Sequence, residues 1–340
     1  MAARAPSFGT RGPASDGPPT TAPVTGGSPA GATGGATGGA TGGGTAAARA
    51  RRRDLWAGYA FLSPALLLFT VFVAGPFVAA VVLSFFSWDM LTPARFDGVH
   101  NFSAMFRDPL LYKALGNTFV FAFASVVTHL VGGLLLALAV DRTASRVLSY
   151  LTRTALFFPF VISWAAVALL WKYVLDPTFG IVTYYLERVG IDAPQWFTDP
   201  SWALPAIIGI DFWHTIGFTF VIMLAGLQTV PKELVEAARC DGANARQVLW
   251  HVTVPAMSPT IFFAAVITFI GAFQIFDPVQ IITPQGGPEN STVTIVMYLY
   301  QKGFQSFQVG YASAVALLVF VVMMAATLLQ FRLSRKWVHQ

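Results

Sequence analysis

The sequence predicts an all-α membrane protein with six transmembrane helices. Three observations carry that prediction. Of 340 residues, 55% are hydrophobic and only 11% are charged, with a mean hydropathy of +0.62, whereas a soluble domain carries about 25% charged residues. The apolar residues gather into six runs, each near the length of about 20 residues needed to cross hydrocarbon. The lysines and arginines collect at the ends of those runs. The net charge of +5 is therefore spread along the chain, not the single basic patch with interleaved aromatics of a nucleic-acid binder.

Residues 1–53 are expected to be a disordered tail of Gly, Ala, Thr and Pro that ends in a basic cluster. The segment "GATGGATGGATGGG" (31–44) has too little apolar surface to offset chain entropy, and it contains no apolar core of a signal peptide. Residues 54–340 form the membrane domain, with spans expected at 62–86, 115–140, 154–173, 203–227, 260–282 and 311–331. The first run has no charge from Leu55 to Trp88, so its opening turns can lie along the interface. The third is short and reaches full length if Lys172 snorkels. The fourth is interrupted only by Asp211. Pro64, Pro76, Pro159 and Pro205 fall in or near spans, where neighbouring helices can re-satisfy the carbonyls they free.

Basic residues give the orientation. Thirteen lie on one side: Arg49, Arg51, Arg52 and Arg53; Arg142, Arg146 and Arg153; Lys232, Arg239 and Arg246; Arg332, Arg335 and Lys336. Six lie on the other, over longer loops: Arg95, Arg107, Lys113, Lys172, Arg188 and Lys302. Both termini are thus expected in the cytoplasm. Cys240 is the single cysteine, so no intrachain disulfide is expected, and the five histidines lack metal-ligand spacing.

Between the fourth and fifth runs lies "EAARCDGANARQVLWHVTVP" (236–255), polar and broken by a glycine. Pro231 suits a helix start. Leu234, Val235 and Ala238 form a narrow apolar stripe, and Gly242 suits the left-handed residue that closes a helix. Asn244 with Gln247 three residues on reads as a capping box for a second short helix, which should bury Val248, Leu249 and Trp250. Physically this is two short helices at an angle, either resting on lipid headgroups or seated on a partner.

The pattern Glu236-Ala237-Ala238, three residues, Gly242, nine residues, Val252, one residue, Val254-Pro255 resembles the EAA loop of bacterial ABC importer permeases; Asp241-Gly242-Ala243 matches the form common in the sugar branch. "LAGLQTVPKELVEAA" (224–238) and "ITPQGGPENSTVTIVMYLYQKGFQSFQVGYASA" (282–314) are similar to carbohydrate-uptake permeases of the maltose, lactose and glycerol-3-phosphate type. The resemblance covers about residues 56–335 and leaves the tail and Asp211 outside the family pattern.

The resemblance implies a type I importer permease fold with a cytoplasmic coupling helix in the loop 231–255. It implies contact with an ATPase subunit through Glu236, Ala237, Ala238, Arg239, Asp241, Gly242, Ala243 and Pro255. It further implies a second homologous permease subunit, two ATP-binding cassette subunits carrying ATP and magnesium, an external solute-binding protein and a bacterial cell membrane. The chain itself has no phosphate-binding GxxxxGK[ST] loop, so no cofactor is expected in it and no ATPase activity of its own.

A solute such as an oligosaccharide, polyol or glycerol-3-phosphate needs polar groups beside aromatic rings. Trp213 and Thr219 on the fourth span are candidates, with Phe273, Gln274, Phe276, Asp277 and Gln280 on the fifth; ordinary helix packing or an aromatic belt is the alternative reading for each. Asp211 in mid-span should face the bundle interior or the outer interface, with His214 one turn on as its candidate partner. A secondary carrier would need internal repeats, and none is visible. A membrane enzyme would need a catalytic or metal-binding constellation, and none is visible.

Overall fold

In hydrocarbon every backbone N–H must be satisfied within its own segment, so the apolar runs become long helices. The computed structural model describes residues 56, 58–141 and 145–337. The expected tail 1–53, with Arg49, Arg51, Arg52 and Arg53, lies outside the described residues, as does Arg142. The chain divides into two units at Pro64. The first contributes, among its described residues, only the opening turns of α1; everything below concerns the second, Ala65–Gln340.

Among the described residues five helices are long and apolar enough to cross a membrane, and six segments qualify if one bent pair is counted as a span. α1 (Gly58–Leu83) contains a π-helical turn at Thr70–Ala74. A two-stranded antiparallel hairpin follows, β1 (Phe86–Ser87) and β2 (Arg95–Phe96), then the short α2 (His100–Met105). Phe86, expected to end the first span, is thus in a strand. α3 (Pro109–Asp141) is the second span, longer at both ends than expected.

The third run departs most from expectation. Instead of one span over 154–173, α4 (Arg146–Val161) and α5 (Trp164–Val174) meet at a 98° bend. Pro159 inside α4 removes one backbone donor. Ile162 and Ser163 are extended, and Ser163 Oγ accepts from Ala166 N as the N-cap of α5.

α6 (Ile181–Arg188) lies in the following loop, and α7 (Pro200–Gln228) is the fourth span, capped by Asp199. Next come α8 (Lys232–Cys240) and α9 (Ala245–Val248), a π-helical turn at Leu249–Thr253 and a short helical turn at Val254–Ala256. The fifth run forms α10 (Ser258–Phe273), breaks at Gln274–Phe276, and resumes as α11 (Asp277–Ile282). α12 (Ile295–Tyr300), a π-helical turn at Gln301–Gln305 and α13 (Val309–Trp337) complete the described chain.

α3 packs along α7 and α10, α4 packs on α7, α11 on α5, and α13 on α1 and α2. Lipid offers no hydrophobic drive between helices, so close approach through small residues matters. A Cβ at Gly217 on α7 would stand 2.1 Å from the carbonyl oxygen of Leu156 on α4. Gly310, which opens the Gly-Tyr-Ala-Ser-Ala segment, is tighter: a Cβ there would lie 1.8 Å from Phe86 O. Asn101 Nδ2 donates to that same carbonyl at 3.0 Å and to Ser84 O at 2.9 Å, and Val309 N donates to Trp88 O at 3.0 Å. The hairpin is therefore a clip that holds the start of α13. The largest apolar cluster, with Phe121, Phe273, Ile295 and Tyr298 fully buried, joins α3, α7, α10, α12 and α13.

Asp108, just before α3, gathers the ends of three elements. It accepts from Tyr298 OH at 2.6 Å and from Tyr311 OH at 3.3 Å, and pairs with Lys302 at 3.4 Å, the one ion pair among the described residues. Burial alone would raise its pKa. The Tyr298 hydroxyl, the Leu110 N–H and the Lys302 charge outweigh burial and hold it below the usual carboxylate range.

Candidate functional site

The polar insert forms an exposed foot directly after α7. Pro231 (φ −61°, ψ 126°) precedes the first helical residue of α8, so its missing N–H costs nothing. Glu233 in the first turn and Arg239 in the last complement the helix dipole. Val235 and Ala238 are half-buried, while Lys232, Glu233, Leu234, Glu236, Ala237 and Arg239 are exposed. Glu236 forms no ion pair among the described residues.

α8 ends as its glycine predicts. Gly242 has φ +84°, Gly242 N donates to Arg239 O at 3.0 Å, and Ala243 N donates to Ala238 O at 3.0 Å. This is the paired return of a Schellman turn, which satisfies the last carbonyls of the helix. Two residues on, Asn244 Oδ1 accepts from Gln247 N at 2.9 Å and Gln247 Oε1 accepts from Asn244 N at 2.8 Å, closing the expected capping box. Val248 is buried and Leu249 half-buried, but Trp250 is 57% exposed, against expectation. Asp241 and Gly242 are exposed, Ala243 and Pro255 half-buried.

The second feature is a cavity of about 380 Å³ enclosed by α3, the α4–α5 bend, α7, and the α10–α11 break. Its polar wall is a network that the sequence reading did not assemble. Asp211 Oδ2 accepts from Ser125 Oγ at 2.6 Å. His129 Nδ1 lies 2.7 Å from Ser125 O and its Nε2 2.6 Å from Thr215 Oγ1; Thr215 Oγ1 is 2.9 Å from Asp211 O. A carbonyl only accepts, so Nδ1 carries a hydrogen. Thr215 Oγ1 stands between His129 Nε2 and Asp211 O, so both ring nitrogens of His129 face protein atoms.

His214, the expected partner of Asp211, turns away. Its Nε2 contacts Ile162 O at 3.0 Å, and its ring lies 4.0 Å from that of Trp164, at the α4–α5 bend. The pairing on Asp211 comes instead from α3, where Ser125 and His129 stand one helical turn apart. That i, i+4 spacing of polar side chains in an apolar run was the available signal.

Of the proposed solute-path residues, Thr219, Gln274, Phe276 and Asp277 line the cavity. The α10–α11 break exposes Gln274 and Asp277 there. Phe276 also packs at a tilt against Tyr300, with ring centroids 5.0 Å apart. The other three sit elsewhere. Phe273 is fully buried between Phe119 and Phe269, Trp213 packs edge-on to Trp171 at 5.4 Å, and Gln280 is half-buried with Oε1 unpartnered among the described residues. Phe160, Trp164 and Thr268, not expected from the sequence, complete the wall.

The family described as "Binding-protein-dependent transport system inner membrane component" matches residues 129–339. The probable ABC transporter permease protein YurN of Bacillus subtilis (strain 168) is 36% identical over 277 residues, covering 81% of this chain and 94% of that protein. The sulfoquinovosyl glycerol transport system permease protein SmoG of Agrobacterium fabrum (strain C58 / ATCC 33970) is 34% identical over 276 residues, covering 81% and 89%. A chain in the crystal structure of a bacterial ABC transporter that imports the acidic polysaccharide alginate superposes with a TM-score of 0.75 at 26% identity, over 86% of this chain and 99% of that one. The foot between the fourth and fifth runs and these matches lead to one conclusion: the chain belongs to the binding-protein-dependent transport system inner membrane components, as the permease of an ABC importer.

Proposed function

We propose that this permease forms half of a translocation pore for a sugar or related polar solute, and that α8 is the element through which separate ATPase subunits drive it. A second, homologous permease completes the pore. Two ATP-binding cassette subunits bind ATP and magnesium, and an external binding protein delivers solute. Both termini and α8 face the cytoplasm, in keeping with the positive-inside distribution.

The observation that carries the reading is the foot itself. A nine-residue helix stands exposed on most of its surface, closed at one end by a Schellman turn and braced by a capping box. Such bracing transmits a push without bending. Its Ala237 face is small enough to seat in a groove, and Glu236 and Arg239 are free of ion pairs among the described residues. The solute class is supported by the cavity, where hydroxyl, amide and carboxylate groups sit beside aromatic rings, and by the carbohydrate character, not the acidity, of the substrates in the names of SmoG and the alginate importer.

The test is site-directed crosslinking from Ala237→Cys in membranes that contain the whole complex. Crosslinks to the ATPase subunit that respond to ATP are expected. Absence of any such crosslink, or solute uptake by this chain purified alone, would overturn the reading.

A further inference from the structure

We propose that the cavity passes solutes that carry no anionic group, and that Asp277 is a specificity-determining residue for this choice. The inference rests on reading the cavity as part of the solute path and narrows the solute class that path admits.

A phosphate, sulfonate or uronate is ordinarily held by the positive charge of an arginine fork or a lysine; the one exposed amide here, Gln274, is a neutral donor that supplies no counter-charge. Among the described residues, no lysine or arginine lines this cavity; its titratable groups are His129, Asp211 and Asp277. His129 cannot serve as an anion donor, because Ser125 O and Thr215 Oγ1 engage both ring nitrogens. The Ser125 hydroxyl is given to Asp211. The uncommitted charge is thus a carboxylate: Asp277 is exposed, in the cavity wall, and has no hydrogen-bond or ion-pair partner for its side chain among the described residues.

An anion entering here would shed water, gain no counter-charge from the described residues of this chain and meet a like charge. An uncharged polyhydroxyl solute meets the opposite situation. Its hydroxyls can donate to Asp277 and exchange hydrogen bonds with Gln274 and Thr268, and its C–H faces can rest on Phe160, Trp164 and Phe276. An amino group on the solute would be tolerated for the same reason.

The binding protein imposes its own selectivity, so the cavity is tested by a probe that bypasses it. Gly271 lines the cavity with nothing within 4 Å of a Cβ built on it, so the Cβ of Gly271→Cys meets no neighbouring atom. Its modification by a cationic and an anionic methanethiosulfonate reagent is followed on the intact complex by site-resolved mass spectrometry, which separates it from Cys240. Rates are normalised to a free thiol. The cationic reagent should react about tenfold faster or more, and Asp277→Asn should bring the ratio to within about twofold of unity. Equal rates, a faster anionic reagent, or a ratio unmoved by Asp277→Asn would each overturn the proposal. ATP-driven uptake in the same vesicles reports the permease reading separately: a transporter that moves solute while showing no charge preference refutes this inference alone.

Discussion

The hydroxyl of Ser125 lies 2.6 Å from Oδ2 of Asp211, tying α3 to α7 inside the bundle. Loss of a partner to a buried carboxylate costs about 1–3 kcal/mol. Ser125→Ala should therefore lower the melting temperature of the purified permease complex more than Asp211→Asn, which keeps an acceptor for the hydroxyl. Importers driven by ATP need no proton gradient. Uptake should thus be indifferent to a protonophore in both wild type and Asp211→Asn; a dependence present in wild type and lost in the variant would assign Asp211 to a proton relay instead.

Gly242 holds φ at +84° with open space where a Cβ would point. The penalty there is conformational, about 1–2 kcal/mol for an ordinary residue and less for Asn. Gly242→Val should keep membrane abundance near wild type and abolish uptake, because α8 would leave its braced angle. Gly242→Asn should retain most uptake. Equal uptake in the valine variant and the wild type would separate the turn from transport.

Gly310 faces a steric limit instead. A Cβ 1.8 Å from Phe86 O must push the β1–β2 clip or the start of α13 aside, at about 3 kcal/mol or more. Gly310→Ala should sharply lower folded yield and thermal stability. Gly271→Ala, with nothing within 4 Å, should leave both unchanged or slightly improved, since Ala is the better helix former.

Asp108 supplies a pH dependence with a definite sign. Its folded pKa is held below the usual carboxylate range, so its contribution is fully present above about pH 4 and fades as the pH falls through the folded value. Partial exposure limits that contribution to the order of 1 kcal/mol. Asp108→Asn should lower stability at pH 7 by about that much and flatten the acid limb of a melting-temperature profile. A variant with the wild-type acid limb would show that Tyr298 and Lys302 do not act through the carboxylate.

Much of this was legible in the sequence, and the reasons differ by element. Long apolar runs predict helices because lipid leaves the backbone no other partner. The Gly242 turn and the Asn244–Gln247 box are local, so residue type and spacing suffice. The third run defeated hydropathy because composition is blind to dihedral angles. Pro159 followed by Ser163 ahead of a second apolar stretch was the overlooked break signal. Asp211 drew attention as a lone carboxylate, but its partner is 86 residues away, and neighbours on one helix such as His214 are all that spacing can nominate. Trp250 was expected to be buried because it is large and apolar, but it stands exposed beside the foot.

α7 runs unbroken from Asp211 to Gln228, a rod of about 26 Å, with α8 beginning four residues beyond it. The cavity wall and the stem that carries the foot are therefore one stiff piece. A tilt imposed on the lower end of α7 would arrive at the carboxylate without crossing any loop, and through Ser125 it would tug on the second span at the same instant.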